Sequence, residues 1–196
     1  MGEIGIILLA AGAATRFSQP KQLLSYHGKP LLQHLTEVAL ASGCQPIVVV
    51  LGAFASQIEP LLTPLPVAIA LNEKWSQGMA SSLQCGVSKI QEMATLLDAL
   101  IVMLGDQPLV SPEVIQQLVT HYRNSDRRIV ASQYDGIVGV PALFDQSLIP
   151  ELMTLQGDMG AKPIINRYDA EVVKVPFPEG AIDIDTPQDW EKLLNC

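Results

Sequence analysis

Apolar residues fall along this chain in two alternating patterns. Short unbroken runs at 4–10, 46–51, 67–71 and 99–104 are rich in Ile, Val and Leu. Runs of that length without polar alternation predict strands buried on both faces, as in a parallel sheet. Between them the apolar positions recur at helical spacing. Leu31, Leu32, Leu35, Val38 and Ala39 share one helical face, with Pro30 as the first helical residue and Gly43 as the stop. Ser111-Pro112 opens a second stripe carrying Val114, Ile115, Leu118, Val119 and Tyr122, and 79–93 and 53–62 predict two more helices.

The pattern changes after residue 126. Strand-like runs at 129–134 and 138–144 flank Asp135-Gly136-Ile137, a hairpin signal. Short helices are expected at 146–153 and 159–168, and strands at 172–175 and 181–184. Thr186-Pro187-Gln188-Asp189 has the form of a capping box with proline at the first helical position. Trp190, Leu193 and Leu194 would give that last helix its buried face. The expected fold is α/β: a three-layer, doubly wound, mostly parallel sheet with a β insertion in the second half.

Composition narrows the class. A chain of 196 residues with no repeat or low-complexity tract reads as one domain, 1–196. A net charge of −8 and a pI near 4.7 exclude a general nucleic-acid binder or membrane-surface binder, so any anionic ligand needs a local positive site. Cys44, Cys85 and Cys196 form no C-x-x-C pair and are odd in number, which favours a reducing compartment over a disulfide framework. The early apolar run is too short to span a membrane and lacks a basic flank, so a cytoplasmic location is expected. His27, His34 and His121 show no ligand spacing and read as structural.

In such sheets ligands sit beyond the carboxyl ends of the strands, and that is where the chemistry gathers. After the first run comes Leu9-Ala10-Ala11-Gly12-Ala13-Ala14, then Arg16 and Lys21. Small side chains let backbone N–H groups approach phosphate oxygens, and the two cations suit a polyphosphate. The bland alternative is a tight turn with solvated cations. Neither a Walker A sequence nor the three-glycine dinucleotide fingerprint is present, which weighs against an NAD-type dehydrogenase. After the third run, Asn72 and 78–82, with Gly78 and Ser82, offer amides and hydroxyls for a base or ribose, or an ordinary helix entry; Trp75 reads as packing. After the fourth comes Gly105-Asp106-Gln107-Pro108, where Asp106 is placed to bind Mg²⁺. Ser111 already serves as the cap of the next helix, which removes the plainest structural role for Asp106. Alternation puts Asp183 and Asp185 on one face of an expected strand, where a cation would relieve their repulsion, with Asp183 the preferred ligand.

These residues together resemble the molybdenum cofactor nucleotidyltransferases. The likeness runs through Leu9 to Gly12, Arg16, 21–24 and 28–31, then Asn72, Trp75, Gly78, Ser82-Leu83 and 105–108. It continues at Leu155, Gly157-Asp158 and Gly160-Ala161 and ends at 183–187, in order along nearly the whole chain. The resemblance implies a Rossmann-like nucleotidyltransferase with a nucleotide-binding half at 1–110 and an acceptor-binding half at 111–196. It implies Mg²⁺-dependent transfer of a nucleotidyl group to the phosphate of molybdopterin, with release of pyrophosphate. A molybdenum hydroxylase would receive the product. Leu-Ala-Ala-Gly at 9–12 is similar to the branch that uses CTP. The acceptor would lie against Gly139, Pro141, Asp158, Lys162 and Asp185. The chain departs from the family pattern at Ala14, Phe17-Ser18, Val140 and Lys162. Two other readings stay open: an NADPH-dependent reductase of the nicotine-blue type, and a non-catalytic cofactor chaperone.

Overall fold

A computed structural model describes residues 2–13, 17, 19–94 and 96–194. The expected runs become strands β1 (Glu3–Ala10), β4 (Ile47–Leu51), β5 (Ala68–Leu71) and β6 (Leu97–Leu104), with β2 (Ser25–Tyr26) and β3 (Lys29–Pro30) forming a small separate hairpin. The second half adds β7 (Ile129–Tyr134), β8 (Ile137–Asp145) and β9 (Val172–Pro176). The main sheet has seven strands in the order β5-β4-β1-β6-β8-β7-β9. Only β8 runs against its neighbours, β6 and β7, so the sheet is mostly parallel with one reversed strand. The β7–β8 turn places Asp135 (φ 46°) and Gly136 (φ 72°) in the left-handed region that two-residue hairpins require.

The strand period of two divides β1 between two cores. Ile4, Ile6, Leu8 and Ala10 face one core; Ile7, Leu9 and Ala11 face the other. Helices α1 (Leu31–Ala41), α2 (Ala55–Leu62) and α4 (Pro112–Arg123) cover the first core. Helices α3 (Met79–Met93), α5 (Ile149–Leu152) and α6 (Lys162–Arg167) cover the second. This three-layer arrangement is why the central strands carry no polar alternation. Among the described residues no helix is long and apolar enough to cross a membrane. His27 and His34 pack against Tyr26, at ring-centroid distances of 4.1 and 5.0 Å, and serve the fold.

Several expectations are corrected. Pro30 ends β3 and precedes α1 instead of opening it. The 159–168 helix shortens to α6, and the 53–62 helix starts two residues later. No strand forms at 181–184: Pro178–Ala181 is a 3₁₀ turn, and the following segment is irregular. It is held not by a ladder but by the Ile184 amide, which donates to the Asp106 carbonyl at 2.9 Å. The last helix, α7 (Pro187–Leu194), keeps its capping box: the Thr186 amide donates to Asp189 Oδ2 at 2.9 Å. Trp190 and Leu193 pack on the first core, but Leu194 is 56% exposed.

Candidate active site

The parallel register brings the carboxyl ends of β1, β4, β5 and β6 to one side of the sheet. Ala10 pairs with Leu51, Leu51 with Leu71, and Leu9 with Leu104. Backbone bonds continue past the strand ends: Gly105 N to Leu9 O at 2.9 Å, Ala53 N to Ala11 O at 3.1 Å, and Asn72 N to Leu51 O at 2.8 Å. The loops therefore leave the sheet in fixed positions around a cleft of about 370 Å³. Its walls include Leu9 to Ala13, Lys21, Gly78, Ser82, Asp106 and Asp158. Sequence reasoning had proposed each of these. Arg16 and Ala14 lie outside the described residues.

The loop after β1 is braced from below. Gln22 is buried, and its side-chain amide donates to the carbonyls of Ala10 (3.0 Å) and Gly12 (3.2 Å). Its neighbour Lys21 reaches the tip of β6. The ammonium donates to Asp106 Oδ2 at 2.7 Å and to the Ile184 carbonyl at 3.2 Å, and lies 3.7 Å from Asp185 Oδ1. Both members of the Lys21–Asp106 pair are mostly buried, with side chains 15% and 22% exposed. That is a costly place for two charges without further partners. The other carboxylate oxygen, Asp106 Oδ1, is buried with no hydrogen-bond partner among the described residues.

Asp183 joins this group. Its carboxyl is open to solvent on one side, yet its pKa is pushed up to about 6. Partial burial is the largest cause, followed by the negative charge of Asp106; Asp185 adds to it, while Gln107 and Lys21 act in the opposite direction. Three carboxylates thus crowd one ammonium. Among the described residues no three His, Cys, Asp or Glu side chains stand close enough to hold a metal ion by themselves. A hard cation such as Mg²⁺ fits the oxygen donors present on Asp106 and Asp183 only if phosphate oxygens and water complete its shell, which is how that ion binds.

Two proposed nucleotide residues act from different depths. Ser82 reaches the cleft wall, while Asn72 stands behind it, its amide donating to the hydroxyls of Ser81 (2.9 Å) and Ser82 (3.0 Å). Gly78 opens α3 with φ 104° and ψ 176°, a conformation open essentially to glycine alone. A Cβ there would stand 2.3 Å from the backbone of Gly157, so Gly78 is what lets the 157–158 loop close against the cleft.

A second hollow of about 250 Å³ adjoins the first, sharing Leu9, Met79 and Leu104. Of the proposed acceptor residues, Gly139 and Lys162 line it. The structure does not bring the other three there. Pro141 is buried beneath, its carbonyl accepting from Ser132; Asp158 lines the first cleft; Asp185 sits beside Lys21. Sequence reasoning missed Tyr134 and Ile137 in this hollow, and Gln107. Buried Gln107 ties the β6 tip to the second half by donating to the carbonyls of Val140 (3.2 Å) and Gly180 (3.3 Å). Their signal is only that they flank recognisable features, the Asp-Gly turn and Asp106.

A family model described as the MobA-like NTP transferase domain matches residues 6–172. The chain is 31% identical over 199 residues to the nicotine blue oxidoreductase of Paenarthrobacter nicotinovorans, covering 96% of this chain and 95% of that protein. It is 25% identical over 194 residues to a probable molybdenum cofactor guanylyltransferase of Nostoc sp., covering 96% and 89%. Among solved structures it is similar to the manganese complex of Rv0371c from Mycobacterium tuberculosis, with 26% identity, 98% of each chain covered and a TM-score of 0.82.

Proposed function

The chain belongs to the MobA-like NTP transferase family, and on that premise we propose that it transfers CMP from CTP to the terminal phosphate of molybdopterin, releasing pyrophosphate. The observation that carries this reading is Asp106 at the tip of β6, facing Lys21 across the mouth of the small-residue loop. The resemblance of Leu9-Ala10-Ala11-Gly12 to the CTP-using branch supports the choice of nucleotide.

The loop from Ala11 to Ala14 would hold the triphosphate through backbone amides, with Arg16 and Lys21 offsetting charge that builds on the leaving pyrophosphate. Mg²⁺, held by Asp106 and Asp183, would supply Lewis-acid stabilisation of the transferred phosphoryl group when bound. An oxygen of the acceptor phosphate attacks the α-phosphorus while the bond to the β-phosphate oxygen breaks. That nucleophile is already ionised at neutral pH, so no general base is needed, and no histidine is among the cleft-lining residues. Lys21 must then serve two anions in turn, and Asp106 Oδ1, unpartnered among the described residues, offers a metal contact that need not displace it.

Asp106→Asn is the decisive variant. Removing one preorganised charge of this kind costs about 10²–10³ in turnover, and the fold should survive because Asp185 and the Ile184 carbonyl still face Lys21. Pyrophosphate release would be measured with CTP, GTP, ATP and UTP against molybdopterin and Mg²⁺. Unchanged turnover in the variant overturns the assignment, and a preference for GTP overturns the nucleotide. One relative favours a second reading: it is named a nicotine blue oxidoreductase. Oxidation of NADPH followed at the nicotinamide absorbance band, with no pyrophosphate released, would select that alternative.

A further inference from the structure

We propose, building on the transferase reading, that the second hollow grips its acceptor by the faces of a flat aromatic body and not by a pattern of polar edges. The chain would on this account also nucleotidylate simple aryl phosphomonoesters.

The argument begins with continuity. Leu9, Met79 and Leu104 belong to both hollows, so an acceptor with its phosphate near Asp106 would have its organic body beside the second one. There the body meets Tyr134, Ile137 and Val140. The ring of Tyr134 is fixed edge-to-face on Phe177, with centroids 6.5 Å apart and planes at 85°. Its hydroxyl is already turned to the Val140 carbonyl at 3.3 Å and so is engaged with the protein. Two glycines make room for these walls. A Cβ at Gly139 would meet the Tyr134 hydroxyl at 2.6 Å, and one at Gly160 would meet the Met79 sulfur at 2.7 Å. Met79 and Ile137 remain 39% and 43% exposed, which leaves apolar surface at the rim for a ligand to cover.

The polar inventory is equally telling. Among the described residues no carboxylate lines this hollow, its one charged group is Lys162, and Lys162 has no ion pair. A ring with a carbonyl or anionic edge at Lys162 is favoured; a ring recognised through several donor groups finds no carboxylate here to accept from them. An apolar wall discriminates weakly between bodies of similar shape, by about 10–200-fold per methylene-sized difference. It rejects a hydroxyl-rich body more firmly, because each hydroxyl loses water without gaining a partner.

The reaction balances without any further reactant. A phosphomonoester oxygen forms a bond to the α-phosphorus of CTP. The bond from that phosphorus to the bridging oxygen breaks, and pyrophosphate leaves with the electron pair. Nothing is oxidised or reduced.

The test compares 1-naphthyl phosphate with glucose 1-phosphate as acceptors for the full chain with CTP and Mg²⁺, reading pyrophosphate release and the mixed diphosphate product by mass spectrometry. Naphthyl phosphate should give release well above the acceptor-free rate, and glucose 1-phosphate should not. Ile137→Asp, at an exposed strand end, should raise KM for naphthyl phosphate by about tenfold or more while KM for CTP stays in place. Lys162→Met should raise KM for molybdopterin more than KM for naphthyl phosphate, which has no polar edge. Turnover of molybdopterin or glucose 1-phosphate with none of naphthyl phosphate refutes this inference and leaves the transferase reading standing. Absence of pyrophosphate with every acceptor and nucleotide refutes the transferase reading itself.

Discussion

Replacing Gly78 by alanine tests whether the cleft depends on one backbone approach. At φ 104° and ψ 176° an alanine is strained by about 1–3 kcal/mol. The added Cβ would lie 2.3 Å from the carbonyl carbon and oxygen of Gly157, against an ordinary carbon contact of roughly 3.5–4.0 Å. One of the two backbones must therefore move by more than about 1 Å. That movement breaks the Ala80 N to Gly157 O bond of 3.0 Å, worth about 1 kcal/mol. The combined cost is about 3 kcal/mol, which for a chain of this size lowers the melting temperature by roughly 6–12 °C. Because Asp158 follows Gly157 and lines the cleft, KM for the nucleotide should rise as well. Gly12→Ala is the control: its Cβ meets nothing within 4 Å among the described residues, so stability should hold while the new methyl narrows the proposed triphosphate site. Thermal melts followed by circular dichroism decide the matter. A melting temperature for Gly78→Ala within about 2 °C of the parent would refute the reasoning.

Two further outcomes follow from the same geometry. Asp183 has a folded pKa of about 6 against 3.8 unfolded, so between those values the native state binds more protons than the unfolded one. Without divalent metal its contribution to stability is present below pH 3.8 and is lost as pH rises through about 6. Asp183→Asn should therefore raise the urea midpoint at pH 7 in chelator, while impairing turnover; an unchanged or lower midpoint counts against the crowded-carboxylate account. Gln22→Met removes two hydrogen bonds worth about 1 kcal/mol each, partly offset by loss of its unpartnered Oε1. It should lower stability by about 1 kcal/mol and raise KM for the nucleotide severalfold; an unaltered KM would show that the loop does not need this brace.

Which parts of this were legible in the sequence follows from the range of the forces involved. The strands were readable because Ile6, Leu8 and Val49 are buried on one face and Ile7, Leu9 and Val50 on the other, leaving no position for a polar residue. Helix caps were readable for a local reason: Ser111 accepts from Val114 N three residues on. Segment 181–184 failed because its alternation of Ile and Asp imitates a strand, whereas Ile184 is fixed by Asp106 and Lys21, which are distant in the chain. Gly78 could be named as a helix entry, but its need for glycine comes from Gly157. Tyr134 was unreadable as a pocket wall because its seat is made by Gly139 on β8 and by Phe177 just after β9, the strands on either side of β7. Local rules thus find elements and strand tips, and the second hollow escapes them because reversed β8 and distant loops build it.

The charge arrangement points to a coupling between metal and nucleotide that neither residue set shows alone. Asp106 and Asp185 lie within 3.7 Å of the Lys21 ammonium, with Asp183 in their electrostatic field, at the place where the proposed reaction would bring a triphosphate. When ionised, three carboxylates against one ammonium leave an excess of two negative charges among the described residues, which do not include Arg16, and the whole chain carries −8. A bare triphosphate would be repelled from such a site despite the loop amides. One divalent cation cancels the local excess and also takes ligands from the arriving phosphates, since the protein side chains described cannot complete its shell. Each ligand should therefore raise the affinity of the other, reciprocally and by the same factor. On this view the acidic cluster works as a gate: it admits the triphosphate as its metal complex and disfavours the free anion, while Lys21 keeps the carboxylates in place until that complex binds.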